Sequence, residues 1–94
     1  IIKKENPMTQ FHSDMTQAVG KMNIDISNVD LVSFSAHKFF GIKGIGVLIK
    51  KEKIELEPLI HGGKSTTVYR SGTPCLPLIV IVTFSFFLFS NKIK

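Results

Sequence analysis

Residues 31–50 read LVSFSAHKFFGIKGIGVLIK, and this stretch decides the fold. Its first five residues form a short apolar run with the length and composition of a buried strand. Residues 47–49 form a second run of this kind. Between the two runs, the glycines of residues 41–46 permit positive φ or a close approach of the backbone to a ligand. The stretch therefore predicts two strands joined by a polar, glycine-rich connection.

The segments on either side predict short elements. Upstream, residues 11–13 are predicted to end a strand. Residues 14–20 are predicted to form a short helix, because Asp14 suits a helix N-terminus and Gly20 suits a helix end. Downstream, residues 57–60 are predicted to be a third extended piece. The interpretation is an α/β chain built around the two central strands.

The C-terminal stretch from Leu76 to Ser90 is almost wholly apolar, and Thr73 followed by Pro74 predicts a helix start before it. At 15 residues the stretch is shorter than the roughly 20 residues that cross a bilayer as a helix. It has no helical stripe, and its β-branched residues 79–82 favour a strand. We rank an out-of-frame reading of AT-rich DNA first as its origin, a marginal membrane anchor second and a native core strand third. We expect residues 81–94 to pack poorly.

Composition limits the function classes. The chain has 94 residues, enough for one small domain, and 12 Lys+Arg against 7 Asp+Glu give a net charge of +5. The basic residues are scattered and the only Tyr is Tyr69, so a nucleic-acid partner is not predicted. The single cysteine, Cys75, excludes an internal disulfide and fits a reducing compartment, which predicts a cytoplasmic location. The absence of Met at position 1 suggests that the chain was cut from a longer protein.

Lys38 is the first candidate for chemistry. It follows the first predicted strand closely, where partial desolvation would favour a neutral, nucleophilic amine. Ser35 and His37 add a hydroxyl and an imidazole, and the N–H groups of the following glycine-rich loop could complete an anion pocket. On these residues alone, a surface lysine at a strand end is the commoner case.

Four motifs in one order resemble those of the cysteine desulfurases. The chain contains FHSDMTQAVGK at residues 11–21, VSFSAHKFFGIKGIG at 32–46, HGG at 61–63 and RSGT at 70–73. The resemblance covers roughly residues 8–80 and implies an α/β fold, a fragment of the large domain of the pyridoxal-phosphate-dependent transferases of the aspartate-aminotransferase type. It divides the chain into a partial cofactor domain at 1–80 and an apolar, then basic, aberrant tail at 81–94.

The resemblance also implies roles for single residues. Lys38 would be the catalytic residue that forms a Schiff base with pyridoxal 5'-phosphate, and Asp14 would pair with the pyridine nitrogen. Gln17 would bind the ring hydroxyl. The remaining implied contacts are to phosphate: Ser35 and His37 to that of the same subunit, and Thr73 to that of the partner in a homodimer. No metal site is predicted.

The implied parent reaction converts L-cysteine to L-alanine and passes the sulfur to an enzyme cysteine, with a sulfur-acceptor protein as partner and iron–sulfur cluster assembly as the process. The family's cysteine loop has no counterpart here, and Cys75 is expected to be a small buried residue rather than a nucleophile. The chain itself is therefore expected to be inactive. The alternatives are another class-V enzyme such as a selenocysteine lyase, a non-enzymatic membrane-associated basic peptide, and a basic nucleic-acid binder.

Overall fold

The structure is a computed structural model that describes residues 1–64 and 67–90. It contains a three-stranded sheet, a short 3₁₀ helix and two α-helices, in keeping with the predicted α/β class. In chain order these elements are α1 (Ile2–Glu5), β1 (His12–Asp14), β2 (Leu31–Ser35), the 3₁₀ helix (Ala36–Phe39), β3 (Gly46–Lys50) and α2 (Leu76–Ser90).

The sheet has the order β1-β2-β3, so that the predicted central strand lies in its middle. β1 pairs with β2 in parallel, with Asp14 opposite Ser33. β2 pairs with β3 in antiparallel fashion, with Ser35 opposite Gly46. Consequently the end of β1, the end of β2 and the beginning of β3 all meet at one edge of the sheet.

The core lies on one face of this sheet. Val32 and Phe34 point to that face and are buried, because alternate residues of a strand point to the same side. Val19 and Val29, from the segment that connects β1 with β2, pack against them. From α2, Val82 joins the same cluster, and the ring of Phe86 stacks on Phe34 at 6.2 Å between centroids.

The buried carboxylate of Asp30 ties the N-terminal segment to the sheet. Its Oδ2 accepts the backbone N–H of Phe11 at 2.9 Å and pairs with the ammonium of Lys3. Lys51 lies on the other side, with its Nζ 3.7 Å from Oδ1. The hydrogen bond from Lys3, followed by that from Phe11, lowers the pKa of Asp30 from 3.8 to about 2. Asp30 is therefore ionised at neutral pH and links three separate segments.

Two predicted elements upstream of α2 differ from the structure. Asp14 ends a strand rather than starting a helix, and residues 16–21 form turns in which Val19 N–H donates to the Met15 carbonyl at 2.9 Å. A single turn of this kind is too short to propagate as a helix, and Gly20 at φ 76° ends it. Residues 57–60, predicted as a third extended piece, belong to no strand of the sheet.

The C-terminal stretch is a helix, and the strand prediction for it is wrong. A segment that is apolar on every side has no period that separates the two states. Pro77 decides between them, since proline fits the first turn of a helix but interrupts a central strand. The start predicted at Thr73 is early: α2 begins at Leu76, with the Cys75 carbonyl accepting the N–H of Ile79 at 3.1 Å.

Some side chains of the C-terminal tail pack against the core, and others are exposed. Val82 is buried and Phe86 meets Phe34, contrary to the expected poor packing, whereas Phe84 and Phe87 are exposed, in keeping with it. The helix crosses position 80 without a break. The side chain of Phe89 and residues 91–94 lie outside the described residues. Within residues 1–64 and 67–90, no helix combines the length and hydropathy needed to span a membrane.

Candidate functional site

The predicted site residues Asp14 and Ser35 lie at the same edge of the sheet. β1 and β2 are parallel, so their carboxyl ends point the same way, and the Met15 N–H donates to the Ser33 carbonyl at 2.8 Å. Ser35 follows Ser33 on the same face of β2 and ends that strand. In open α/β sheets, ligands bind outside the carboxyl ends of the strands. This edge is therefore the place where a ligand is expected.

The 3₁₀ helix brings His37 and Lys38 to this edge. With three residues per turn, Ala36 and Phe39 fall on one side of the helix, and both are fully buried. The ring of Phe39 packs against Phe34 at 5.9 Å between centroids. His37 and Lys38 consequently fall on the outer side, where both are exposed.

The exposure of Lys38 corrects one expectation. Its place after a buried strand predicts partial desolvation. The chain instead enters the 3₁₀ helix directly after Ser35, and the residues of this helix that are buried are Ala36 and Phe39. Lys38 is therefore exposed at the edge rather than partly desolvated.

The loop that follows fixes this helix in place. Gly41 N–H donates to the Ala36 carbonyl at 3.0 Å, and a Cβ at Gly41 would lie only 2.6 Å from that carbonyl oxygen. Phe40 takes the left-handed conformation, with φ 65°, which is uncommon for a bulky residue. The position of Lys38 is thus set by the buried Phe39 next to it and by the tight turn that Gly41 closes onto Ala36.

Asp14 is held in its ionised form. Hydrogen bonds from the hydroxyl of Thr16 and from its backbone N–H lower the pKa of the Asp14 carboxyl, and nearby His12 adds a smaller effect in the same direction. The backbone bond, from Thr16 N to Asp14 Oδ1, measures 2.9 Å. Asp14 therefore presents a carboxylate at the edge. This is the charge state that the pairing with a pyridine nitrogen, implied by the resemblance, requires.

His12 is a residue of this site that the sequence motif contained but to which no role was assigned. It lies two residues before Asp14 on the same face of β1, and its Nε2 is 3.0 Å from the Ser33 hydroxyl of β2. The alternation of His12 and Asp14 along a strand could have indicated a shared face. This pair cross-links the two parallel strands beside the carboxylate.

Gln17 and Thr73 are placed differently from the other predicted residues. Gln17 is exposed in the turn after β1, and its Oε1 accepts the Lys21 ammonium at 2.8 Å. Thr73 is exposed on the segment leading into α2 and belongs to none of the elements that form the edge. The edge group thus consists of Asp14, Ser35, His37 and Lys38, with Gln17 one turn beyond.

A separate open pocket of about 430 Å³ lies around the HGG motif. None of the predicted site residues lines it. Ser71 closes one side, with its backbone N–H donating to the Ile60 carbonyl at 3.1 Å and its hydroxyl donating to the Gly63 carbonyl at 3.3 Å. The lining residues are Pro58, Ile60, His61, Gly62, Gly63, Lys64, Thr67, Val68 and Ser71.

Cys75 is exposed, and the expectation that it would be buried is wrong. It lies at the start of α2, where the core cluster is reached only by residues farther along the helix, such as Val82. Among the described residues, no group of three or more His, Cys, Asp or Glu side chains is placed to hold a metal ion.

Comparison with known proteins finds cysteine desulfurases whose sequences are similar to this chain. Cysteine desulfurase IscS of Rickettsia bellii is 50% identical in an alignment that covers 74% of this chain and 18% of that protein. The mitochondrial cysteine desulfurase of Eremothecium gossypii is 47% identical, with 74% of this chain and 15% of that protein covered. The chain thus spans less than a fifth of the length of these relatives.

Solved structures agree with this similarity. A NifS-like protein superimposes with a TM-score of 0.90 at 37% identity, covering 98% of this chain and 26% of that one. The structure described as SspA in complex with cysteine gives 0.81 at 39% identity, covering 92% and 26%. The model of the aminotransferase class-V family matches residues 1–87, well past the point near residue 80 where the motif resemblance ends. The chain therefore belongs to the class-V aminotransferase family.

Proposed function

We propose that this chain carries the cofactor-binding edge of a cysteine desulfurase that depends on pyridoxal 5'-phosphate. The observation that carries the proposal is the parallel pairing of β1 with β2, because it brings Asp14 and Ser35 to the edge where the 3₁₀ helix presents Lys38. Cysteine as the substrate is supported by the names of the relatives and by the similarity to SspA, whose structure was solved in complex with cysteine.

The donor set fits the proposed cofactor. Pyridoxal phosphate has an aldehyde, a basic ring nitrogen and a dianionic phosphate, and the edge offers a partner for each. Lys38 supplies a primary amine, and Asp14 supplies a carboxylate kept ionised by the hydrogen bonds that lower its pKa. Ser35 places its hydroxyl at the N-terminus of the 3₁₀ helix without using it as a cap, and His37 adds a ring N–H.

Each residue then has a definite task. Lys38 holds the cofactor through its amine, and Asp14 keeps a proton on the ring nitrogen. Ser35 and His37 bind the phosphate, Gln17 binds the ring hydroxyl, and Thr73 contributes to the phosphate site of a second subunit. Bound pyridoxal phosphate supplies an electron sink for the bonds around the α-carbon of an amino acid. His12 fixes the spacing of β1 and β2 beside Asp14 through Ser33.

The proposal extends to the whole parent protein. We propose that it converts L-cysteine to L-alanine, transfers the sulfur to a cysteine of its own and then to an acceptor protein, acts as a homodimer and serves iron–sulfur cluster assembly. The single cysteine among 94 residues supports a reducing compartment, and we propose the cytoplasm. A selenocysteine lyase would use the same edge, so the distinction depends on the nucleophile.

Covalent trapping tests the cofactor assignment on the chain as it exists. The chain is incubated with pyridoxal phosphate, reduced with borohydride, digested and mapped by mass spectrometry. We expect label at Lys38 in preference to Lys43, which is also exposed but lies on the following loop. Lys38→Arg should remove this label, whereas Lys43→Arg should leave it, and Asp14→Asn should weaken it. Equal labelling of the exposed lysines would contradict the proposal.

A further inference from the structure

The side chain of His12 crosses from β1 to β2 in a direction that the strand register does not require. Its Nε2 lies 3.0 Å from the hydroxyl of Ser33, which points away from the core because it alternates with the buried Val32. In the register, however, His12 is opposite Leu31, and the residue opposite Ser33 is Asp14. The imidazole therefore reaches diagonally across the sheet to the partner of Asp14 rather than to its own partner.

Ser33 connects this imidazole to the backbone that carries Asp14. Asp14 is the last residue of a strand of three, so few strand contacts fix its place. Directly after it, the Met15 N–H donates to the Ser33 carbonyl at 2.8 Å. The hydroxyl of the same serine is the group that His12 contacts. Ser33 thus holds the end of β1 through its carbonyl and is itself held by His12 through its hydroxyl.

The contact between His12 and Ser33 does not depend on one protonation state. A hydroxyl accepts a hydrogen bond from Nε2–H, whether the imidazole is neutral or charged, and donates one to an unprotonated Nε2. The lowered pKa of Asp14 comes mainly from hydrogen bonds by Thr16, and His12 adds a smaller electrostatic effect in the same direction. Contact and charge therefore both act on Asp14.

We propose that His12 and Ser33 are positioning residues for the cofactor ring, and that they hold Asp14 where its carboxylate pairs with the ring nitrogen of pyridoxal phosphate. This inference rests on the proposed function and deepens it, because it assigns the two residues an effect on one atom of the cofactor. The groups that hold the aldehyde and the phosphate do not depend on the pair. Its effect is therefore confined to a cofactor whose ring carries a basic nitrogen.

Two cofactor analogues test this proposal on the full 94-residue chain. Pyridoxal phosphate is compared with deazapyridoxal phosphate, in which a C–H group replaces the ring nitrogen. Each compound is titrated into the chain, reduced with borohydride and quantified at Lys38 by mass spectrometry. In His12→Asn the amide is too short to reach Ser33, so half-maximal labelling should need roughly threefold to tenfold more pyridoxal phosphate, the loss of about one hydrogen bond. Labelling by the deaza analogue should not change.

Matched variants separate the contact from general damage to the fold. His12→Gln places an amide near the position of Nε2 and should restore most of the labelling by pyridoxal phosphate. Ser33→Ala should lose as much as His12→Asn, and the double variant should lose no more than either one, because the two side chains act as a unit. Ser13→Ala is the control: Ser13 lies between His12 and Asp14 in β1 but on the other face, so the ratio of the two analogues should stay the same.

Nitrogen NMR reads the contact without any cofactor. The shifts of the His12 ring should change in Ser33→Ala and stay the same in Ser13→Ala. Unchanged shifts in Ser33→Ala would overturn the proposal, as would an equal loss of labelling by both analogues in His12→Asn, which is the result of a merely structural role. Failure of both compounds to label Lys38 in the unaltered chain would contradict the proposed function, and the inference that rests on it would fall with it.

Discussion

Gly20 lies directly against Phe39: a Cβ added at Gly20 would be 2.7 Å from the Cβ of Phe39. Gly20 ends the turn after β1, and Phe39 is the buried anchor of the 3₁₀ helix that carries Lys38. The absence of a side chain at residue 20 thus lets the turn after Asp14 and the lysine-bearing helix pack together. One close contact joins the two halves of the candidate site.

We expect Gly20→Ala to destabilise the chain by roughly 2–4 kcal/mol, because alanine meets both the positive φ of 76° and the contact with Phe39. Urea denaturation followed by circular dichroism measures this difference. Gly63→Ala is the matched control, since a Cβ at Gly63 has nothing within 4 Å. Equal stability of the two variants would contradict the assigned contact.

Acid should loosen the N-terminal segment through Asp30. The pKa of Asp30 is lowered to about 2 in the folded chain, so its contribution to stability is complete above the unfolded value near 3.8 and disappears as the pH falls through 2. We therefore expect the melting temperature to fall between pH 4 and pH 2. Asp30→Asn should be less stable at pH 7 and should flatten this dependence.

The control for Asp30 is Asp25→Asn. Asp25 is exposed, and its pKa is lowered only by local hydrogen bonds from Ser27. Its replacement should leave most of the fall between pH 4 and pH 2 in place. A pH profile that is the same for Asp30→Asn and the unaltered chain would show that Asp30 does not link the segments at neutral pH.

The two sides of α2 should respond differently to substitution. Phe86 stacks on Phe34, so Phe86→Ala should cost about 1–2 kcal/mol of unfolding free energy, below the roughly 3–5 kcal/mol of a fully buried phenylalanine. Phe84→Ala removes a ring that is exposed on the other side of the helix and should change the unfolding free energy by less than about 0.5 kcal/mol. Chemical denaturation of the two variants, compared with the unaltered chain, measures both effects.

The sequence predicted the central strand correctly and predicted the wrong secondary structure for α2, because the apolar pattern is clearly bounded in the first stretch and uniform in the second. Residues 31–35 are bounded by polar and glycine-rich segments, so their length and apolar character define a strand. Leu76 to Ser90 is apolar on all sides, so its pattern does not separate the two states, and the helix is favoured by Pro77 in its first turn and by the contacts with Phe34 and the core. The apolar pattern alone therefore defines the strand but not the helix.

The candidate site was also predictable only in part, since some of its features come from the motifs and others from the packing of the chain. The resemblance of the motifs to those of cysteine desulfurases implies that Asp14, Ser35 and Lys38 belong together, and the parallel pairing of β1 and β2 brings Asp14 and Ser35 to a shared edge. The exposure of Lys38 could not be predicted, because it depends on the 3₁₀ helix turning Phe39 inward in its place. The exposure of Cys75 likewise depends on where α2 begins.

The last prediction is that the 94-residue chain does not release sulfide from L-cysteine catalytically. Sulfur transfer needs a thiolate that can approach the substrate sulfur while the cofactor holds the amino acid. Cys75 is the only thiol, and although it is exposed, its backbone is fixed between Pro74 and the first turn of α2, where its carbonyl accepts the Ile79 N–H. A thiol there cannot travel to a substrate at Lys38 as a mobile loop would. The assay is sulfide release with added pyridoxal phosphate and a reductant, and Cys75→Ser should give the same background rate as the unaltered chain. Multiple turnovers that vanish on Cys75→Ser would show that Cys75 is the nucleophile after all.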